Sequence, residues 1–332
     1  MSGLNPSWHP RDLWRWLIAP IDGPLLLLAG LLVLVGLAMV GSASPERITN
    51  QLLNMVAALI VMRLVAQLPP QRLMHLAPPV YVIGIVLLIA VALFGDVSKG
   101  ARRWLDLHVM RIQPSEMLKI AVPLMLAWYF QKREAQPRLR DYAVAAMILL
   151  VPTALIARHP DLGTAILVLA AGFYVIFLGG LPWKILAGLA AMGAAAAPLA
   201  WTLLHDYQRA RILTLLDPEK DPLGKGFHII QSTIAIGSGG VLGKGWGHGT
   251  QAQLEFIPER HTDFIFAVFS EELGLVGNAL LLVLYALLIG RGLMIAANAP
   301  TLFARLLAGA ITLIFFTYAF VNMGMVSGIL PV

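Results

Sequence analysis

The chain has 332 residues, 58% of them hydrophobic and only 13% charged, with no cysteine. A soluble domain is nearer half apolar and a quarter charged, so disorder, a coiled coil and an ordinary soluble enzyme are excluded. The lack of cysteine excludes disulfides, thiolate-bound zinc and a thiol nucleophile, and the net charge of +6 is scattered among apolar stretches, so it forms no basic face for nucleic acid.

Nine apolar stretches follow one another, at 23–40, 51–68, 76–94, 113–130, 142–157, 162–181, 185–204, 264–288 and 306–326. Most have the roughly 17–25 residues that cross a bilayer core. All nine are predicted to be helices, because a helix satisfies its own backbone in lipid. No stretch alternates long enough for a transmembrane β-barrel. The expected fold is therefore all-α: a single polytopic membrane domain over residues 1–332. Small residues from Gly41 to Ser44 follow the first stretch, as at a signal cleavage site. Its apolar length exceeds that of a cleaved signal, so it reads as a retained anchor.

With the N-terminus in the cytoplasm, the inner connections hold eleven Lys and Arg and the short outer ones six. The bias favours that orientation. Four of the six outer cations, Lys99, Arg102, Arg103 and Arg111, lie together between spans three and four. Beside them stands Trp104, a residue suited to the headgroup level. The cluster reads either as a specific site for a phosphate-bearing ligand or as a binder of anionic lipid. Span four opens with Gln113 and Pro114 and carries Glu116 and Lys119 three residues apart, on one helix face. The short loop after span five adds Arg158 and Asp161 to the same face.

The connection at 205–262 is 58 residues long, balanced in charge and rich in aliphatic and aromatic residues. A connection of that length is usually functional, and an ordered outer loop with short helices on the membrane surface is expected. Within it, residues 237–249 include seven glycines in thirteen positions, around Lys244. The run reads equally as a flexible turn or as a cradle of backbone N–H groups for phosphate. Asp263 comes directly before span eight. It suits either a helix N-cap or a general base at the membrane boundary. Glu271 and Glu272 fall about 12 Å further along the same helix. Carboxylates at such depth mark a function or a buried ion pair. No His-Glu-x-x-His zinc motif and no Gly-x-Ser-x-Gly nucleophile elbow occurs. The chain stops on the apolar residues 328–332, and a tenth span is expected beyond them.

Taken together, these stretches resemble the SEDS family of bacterial cell-wall synthesis proteins. The resemblance is carried by KGARRWLDL at 99–107, QPSE at 113–116 with Lys119, PDLGT at 160–164, DPEKDPLG at 217–224, HIIQ at 228–231, IGSGG at 236–240, GKGW at 243–246, FIPERHTDFIF at 256–266 and VNMGMVSGILP at 321–331. It covers nearly the whole chain in family order. The LDL after the tryptophan and the QPSE form favour the elongation type over the division type. His159 stands where the family has glutamine.

The resemblance implies a peptidoglycan glycosyltransferase acting on lipid II at the periplasmic face of the bacterial inner membrane. In that reading Asp263 is the general base. Lys99, Arg102, Arg103, Trp104, Glu116, Lys119, Asp161, Lys244 and Glu272 are the candidate substrate-binding residues. No tightly bound cofactor is implied, only a divalent cation, magnesium or manganese, riding on the substrate diphosphate. The implied partners are a class B penicillin-binding transpeptidase and other membrane proteins of the elongation machinery. The competing readings are a lipid II flippase and a non-catalytic scaffold.

Overall fold

The computed structural model describes residues 21–98, 101–106, 111–133, 137–159, 161–203, 209, 213–214, 217, 225–254, 256–257 and 259–330. In chain order the elements are α1 (Gly23–Ala43), α2 (Ile48–Ala66), α3 (Pro70–Phe94), β1 (Asp96–Ser98), β2 (Ala101–Asp106), β3 (Arg111–Ile112), α4 (Pro114–Gln131), α5 (Leu139–Arg158) and α6 (Leu162–Leu178). Then follow α7 (Trp183–Leu203), α8 (Lys225–Ser238), the short α9 (Thr250–Gln253), α10 (Ile265–Ala297) and α11 (Leu302–Val326).

Each of the nine apolar stretches coincides with one of these helices. Six helices, namely α1, α2 with its preceding turn, α3, α5, α10 and α11, are long and apolar enough to cross a membrane. The chain is a multi-pass membrane protein. The helix starts are written locally. Asp22 accepts from the Leu25 N–H at 2.9 Å and opens α1. Thr301 accepts from Ala304 and opens α11. Pro70 and Pro114 sit in first turns, where a missing N–H costs nothing.

The core gathers around α4, whose Leu118, Leu126 and Phe130 are fully buried among α3, α5, α6 and α11. Gly172 lets α6 close on this centre, because a Cβ there would meet Leu149, Leu126 and Val122. By contrast, α2 has no buried residue and presents its apolar surface outward.

Two features depart from the expectation. The connection bearing the cationic motif is a small antiparallel ribbon in the order β1-β2-β3, with β2 against α3 and α4. The second is α10. Its 33 residues would run about 50 Å if straight, well beyond a bilayer core of about 30 Å. The helix breaks at Gly274, where φ is 62° and ψ −159°. Ser270 donates to Asn278 Oδ1 at 3.0 Å across the break. Ile265 and Phe266 before it share one apolar cluster with Leu281 after it. On a straight helix Ile265 and Leu281 would stand about 24 Å apart. The two arms therefore fold toward each other, with Gly274 at the vertex.

Candidate active site

The vertex explains the glycine run. A helix break strands carbonyls on one arm and N–H groups on the other, and each must find a partner when buried. The loop supplies all four. Lys244 and Gly245 N–H donate to the carbonyls of Glu271 and Glu272, at 3.0 and 2.9 Å. The carbonyls of Gly240 and Val241 accept from Leu275 and Val276, at 2.9 and 3.0 Å. This backbone-to-backbone fit needs glycine, because a Cβ at Gly239 would strike the Ser270 carbonyl, and one at Gly243 the Glu272 carbonyl. The run is thus held by backbone hydrogen bonds to α10. It splints a broken helix.

The side chains at the vertex are equally engaged. Glu271 is fully buried and accepts from Lys244 Nζ at 2.6 Å, Thr250 Oγ1 at 3.0 Å and the Gln251 N–H at 3.1 Å. Glu272, also fully buried, accepts from Ser42 Oγ at 2.5 Å and so ties the end of α1 to the vertex. Its Oε2 has no partner among the described residues. Neither Lys244 nor Glu272 lines the cleft described below, and each has a hydrogen-bond partner within the protein.

Asp263 is the opposite case. Phe264 holds the N-cap position of α10, and no side chain caps that end. The capping alternative for Asp263 is therefore excluded. Its side chain is exposed, and among the described residues no hydrogen bond or ion pair engages its carboxylate. Its main-chain carbonyl accepts from Asn322 Nδ2 of α11 at 2.8 Å.

Beside it opens a cleft of about 360 Å³ between α1, both arms of α10, and α11. The walls are apolar: Val35 and Met39 from α1, Phe266 and Leu281 from the two arms, and Phe315 from α11. Thr262 and Asn322, respectively the neighbour and the hydrogen-bond partner of Asp263, lie on its rim. Tyr318 lines the same cleft, and Lys119 of α4 places its ammonium 5.3 Å from that ring's centre. Lys119 also pairs with Glu116 at 2.6 Å.

Asp263 is thus linked to the cleft through Asn322, and Lys119 with its partner Glu116 through Tyr318, though none of the three lines the cleft itself. The backbone of Arg102 and Arg103 and the part-exposed Trp104 belong to β2, which packs on the end of α4 that bears Lys119. The side chains of Arg102 and Arg103, and all of Lys99, lie outside the described residues. Asp161 has a different task. It is buried, caps α6 by accepting from Thr164, and accepts from Gln113 Nε2 at 3.2 Å, which ties the start of α4 to α6. Among the described residues no three His, Asp or Glu side chains converge into a metal-holding group. Sequence reasoning missed Asn322 and Tyr318. Their signal was polarity inside the otherwise apolar span nine.

Chemically, an unpaired carboxylate stands at the lip of a groove that fits a hydrocarbon chain, with an ammonium at the same helix. Such an arrangement can take a proton from a lipid-anchored substrate and hold a negative charge nearby.

Comparison with known proteins gives a consistent picture. Residues 20–332 match the model of the "Cell cycle protein" family that groups FtsW, RodA and SpoVE. The chain is 52% identical to the peptidoglycan glycosyltransferase MrdB of Escherichia coli K12, over 98% of this chain and 89% of that one. It is 33% identical to a probable peptidoglycan glycosyltransferase FtsW of Thiomicrospira cyclica, over 96% of this chain and 86% of that one. A solved peptidoglycan synthase complex, described as coordinating polymerization and crosslinking, matches with TM-score 0.80 and 38% identity, covering 94% of this chain and 88% of that one. The crystal structure of the Rod shape determining protein RodA of Thermus thermophilus matches with TM-score 0.66 and 30% identity, over 92% of this chain and 84% of that one.

Proposed function

The chain belongs to the FtsW, RodA and SpoVE family of cell cycle proteins, and from that premise we propose that it is a peptidoglycan glycosyltransferase polymerising lipid II during cell-wall elongation. The observation that carries this reading is the exposed Asp263, its carboxylate without a partner among the described residues, whose neighbour Thr262 and main-chain partner Asn322 line the apolar cleft. A polyprenyl chain needs an apolar groove, and a sugar hydroxyl needs a base at that groove's mouth.

In this reading the cleft opens on the periplasmic side of the inner membrane, with the N-terminus in the cytoplasm. Asp263 takes the proton from the 4-hydroxyl of the incoming lipid II sugar. That oxygen attacks the anomeric carbon of the growing strand, undecaprenyl diphosphate leaves from the opposite face, and the configuration inverts. A diphosphate leaves without an acid, so the pair of carboxylates used by glycosidases is not required. Lys119 is placed to hold the diphosphate, with Glu116 orienting it. The ribbon residues Lys99, Arg102, Arg103 and Trp104 belong to the same headgroup region. A divalent cation, magnesium or manganese, would be held by the substrate diphosphate and would supply neutralisation of the leaving charge. No serine-nucleophile motif is present, so cross-linking falls to a partner, a class B penicillin-binding transpeptidase.

The test is polymerisation of labelled lipid II by the purified chain with that partner. Asp263→Ala is expected to stop strand synthesis, by at least about 100-fold, while the protein folds and still binds its partner. Normal synthesis by that variant rejects the base assignment. One observation favours a second reading, lipid II transport, because broken helices are a transporter feature and α10 is broken at Gly274. Here, however, backbone groups freed at the break are taken up by the glycine loop. Loss of lipid translocation with intact synthesis in Glu272→Ala protein would favour transport.

A further inference from the structure

We infer that Asn322 is the positioning residue for Asp263: its side-chain amide supplies the donor that the Asp263 carbonyl lacks just before the helix and fixes the main chain of that turn beside the cleft. The inference rests on the reading of Asp263 as the base. The starting observation is the place of Asp263, one residue before the N-cap Phe264 of α10. The first carbonyl to join a helical ladder is that of the N-cap, so no helical N–H reaches the Asp263 carbonyl. Ala267 N–H donates to the Phe264 carbonyl at 3.0 Å, and Ile265 N–H reaches Thr262 at 3.4 Å. The Asp263 carbonyl is met instead by Asn322 Nδ2 at 2.8 Å.

The turn closes on Glu259, whose φ of 48° is unusual for a residue with a side chain. Thr262 and Phe264 N–H both point to the Glu259 carbonyl, at 3.0 and 3.4 Å. Two side chains brace it from outside. Arg260 Nη1 donates to the Ala252 carbonyl at 2.7 Å. Asn322 alone of the two bonds to the residue that carries the carboxylate.

Asn322 also ties the two chemical groups together. Tyr318 lies four residues earlier, on the same face of α11, about 6 Å along the axis. Its ring seats the Lys119 ammonium. One face of α11 thus sets the spacing between the carboxylate and the cation. Asn322 touches the Asp263 main chain and not its carboxylate, so it acts through placement. A misplacement of about 1 Å at a reacting group costs up to about 100-fold in rate.

The experiment uses the full chain with its partner transpeptidase and labelled lipid II. Asn322→Leu keeps the volume and removes the donor; Asn322→Gln keeps the donor. We expect Asn322→Leu to lower kcat by about tenfold or more, with KM within about twofold. Amide hydrogen exchange across residues 259–268 should quicken in the same protein, and Asn322→Gln should recover much of both. Should the leucine variant not fold, Asn322→Ser leaves the carbonyl unbonded at lower steric cost. Unchanged exchange across the turn overturns the inference. So does a raised KM with kcat retained, which would make Asn322 a substrate contact. Activity surviving Asp263→Ala would instead sink the base reading, while the exchange result would still decide what Asn322 holds.

Discussion

Asp263 and Glu271 are carboxylates eight residues apart on one stretch of chain, and the protein treats them oppositely. Glu271 is sealed from solvent and receives an ammonium, a hydroxyl and a backbone N–H. Asp263 is exposed beside an apolar groove, and only its main chain is held. A buried carboxylate whose acceptor sites are filled is a structural part, since its interactions are spent on neighbours. An exposed one on a braced backbone remains available to a substrate. Depth in an apolar helix is therefore a poorer guide to chemistry here than the state of the partners.

The comparison can be broken through stability first. Glu271→Ala leaves Lys244 and the Gln251 N–H without their acceptor. The loss should be about 2–4 kcal/mol, below the full range for a buried pair because Lys244 keeps some exposure. Thermal unfolding in detergent measures it, and a melting temperature equal to wild type would show that the vertex does not depend on the pair. Next in size is Gly274→Ala. A methyl group there meets the Gly243 nitrogen and the Val241 carbonyl, at a backbone angle suited to glycine. The expected cost is about 1–3 kcal/mol, with faster exchange in residues 239–249, because the splint and the break must loosen together.

The smallest effect lies at the far end of α1. Arg291 beside Asp22, with help from the Leu25 N–H, holds the Asp22 carboxyl below its ordinary value of 3.8. A folded value below the unfolded one means the bond contributes above about pH 4 and is lost as pH falls through the folded value. Asp22→Asn should therefore lower the melting temperature slightly near neutrality and converge on wild type in acid, which flattens part of the acid-side fall. An identical acid profile in the two proteins would remove this tie from the account.

Much of the helical layout was legible, because the membrane spans are long apolar runs, and Asp22, Pro114 and Asp161 mark the starts of three of the helices. Asp263 was legible as an acidic residue abutting such a run. The bend at Gly274 was not. A helical pattern continues smoothly through Leu273, Gly274 and Leu275, and a single glycine there does not distinguish a bend from a straight helix. The role of residues 237–249 was hidden for the same reason: their partners are backbone atoms, which leave no side-chain signature. The available clue was the pairing of two glycine-bearing segments, 237–249 and 274–277, since close backbone approach demands small residues on both sides. The ribbon at 96–112 was masked by its charge, which drew attention to ligands and away from strand pairing.

The most direct measurement sets the two carboxylates side by side: lipid II turnover by Asp263→Asn and Glu271→Gln proteins, each normalised to its folded fraction. The account predicts that the asparagine variant loses turnover by about 100-fold or more while the glutamine variant stays within a few-fold of wild type. Retained turnover in Asp263→Asn protein, or its abolition in well-folded Glu271→Gln protein, would contradict it.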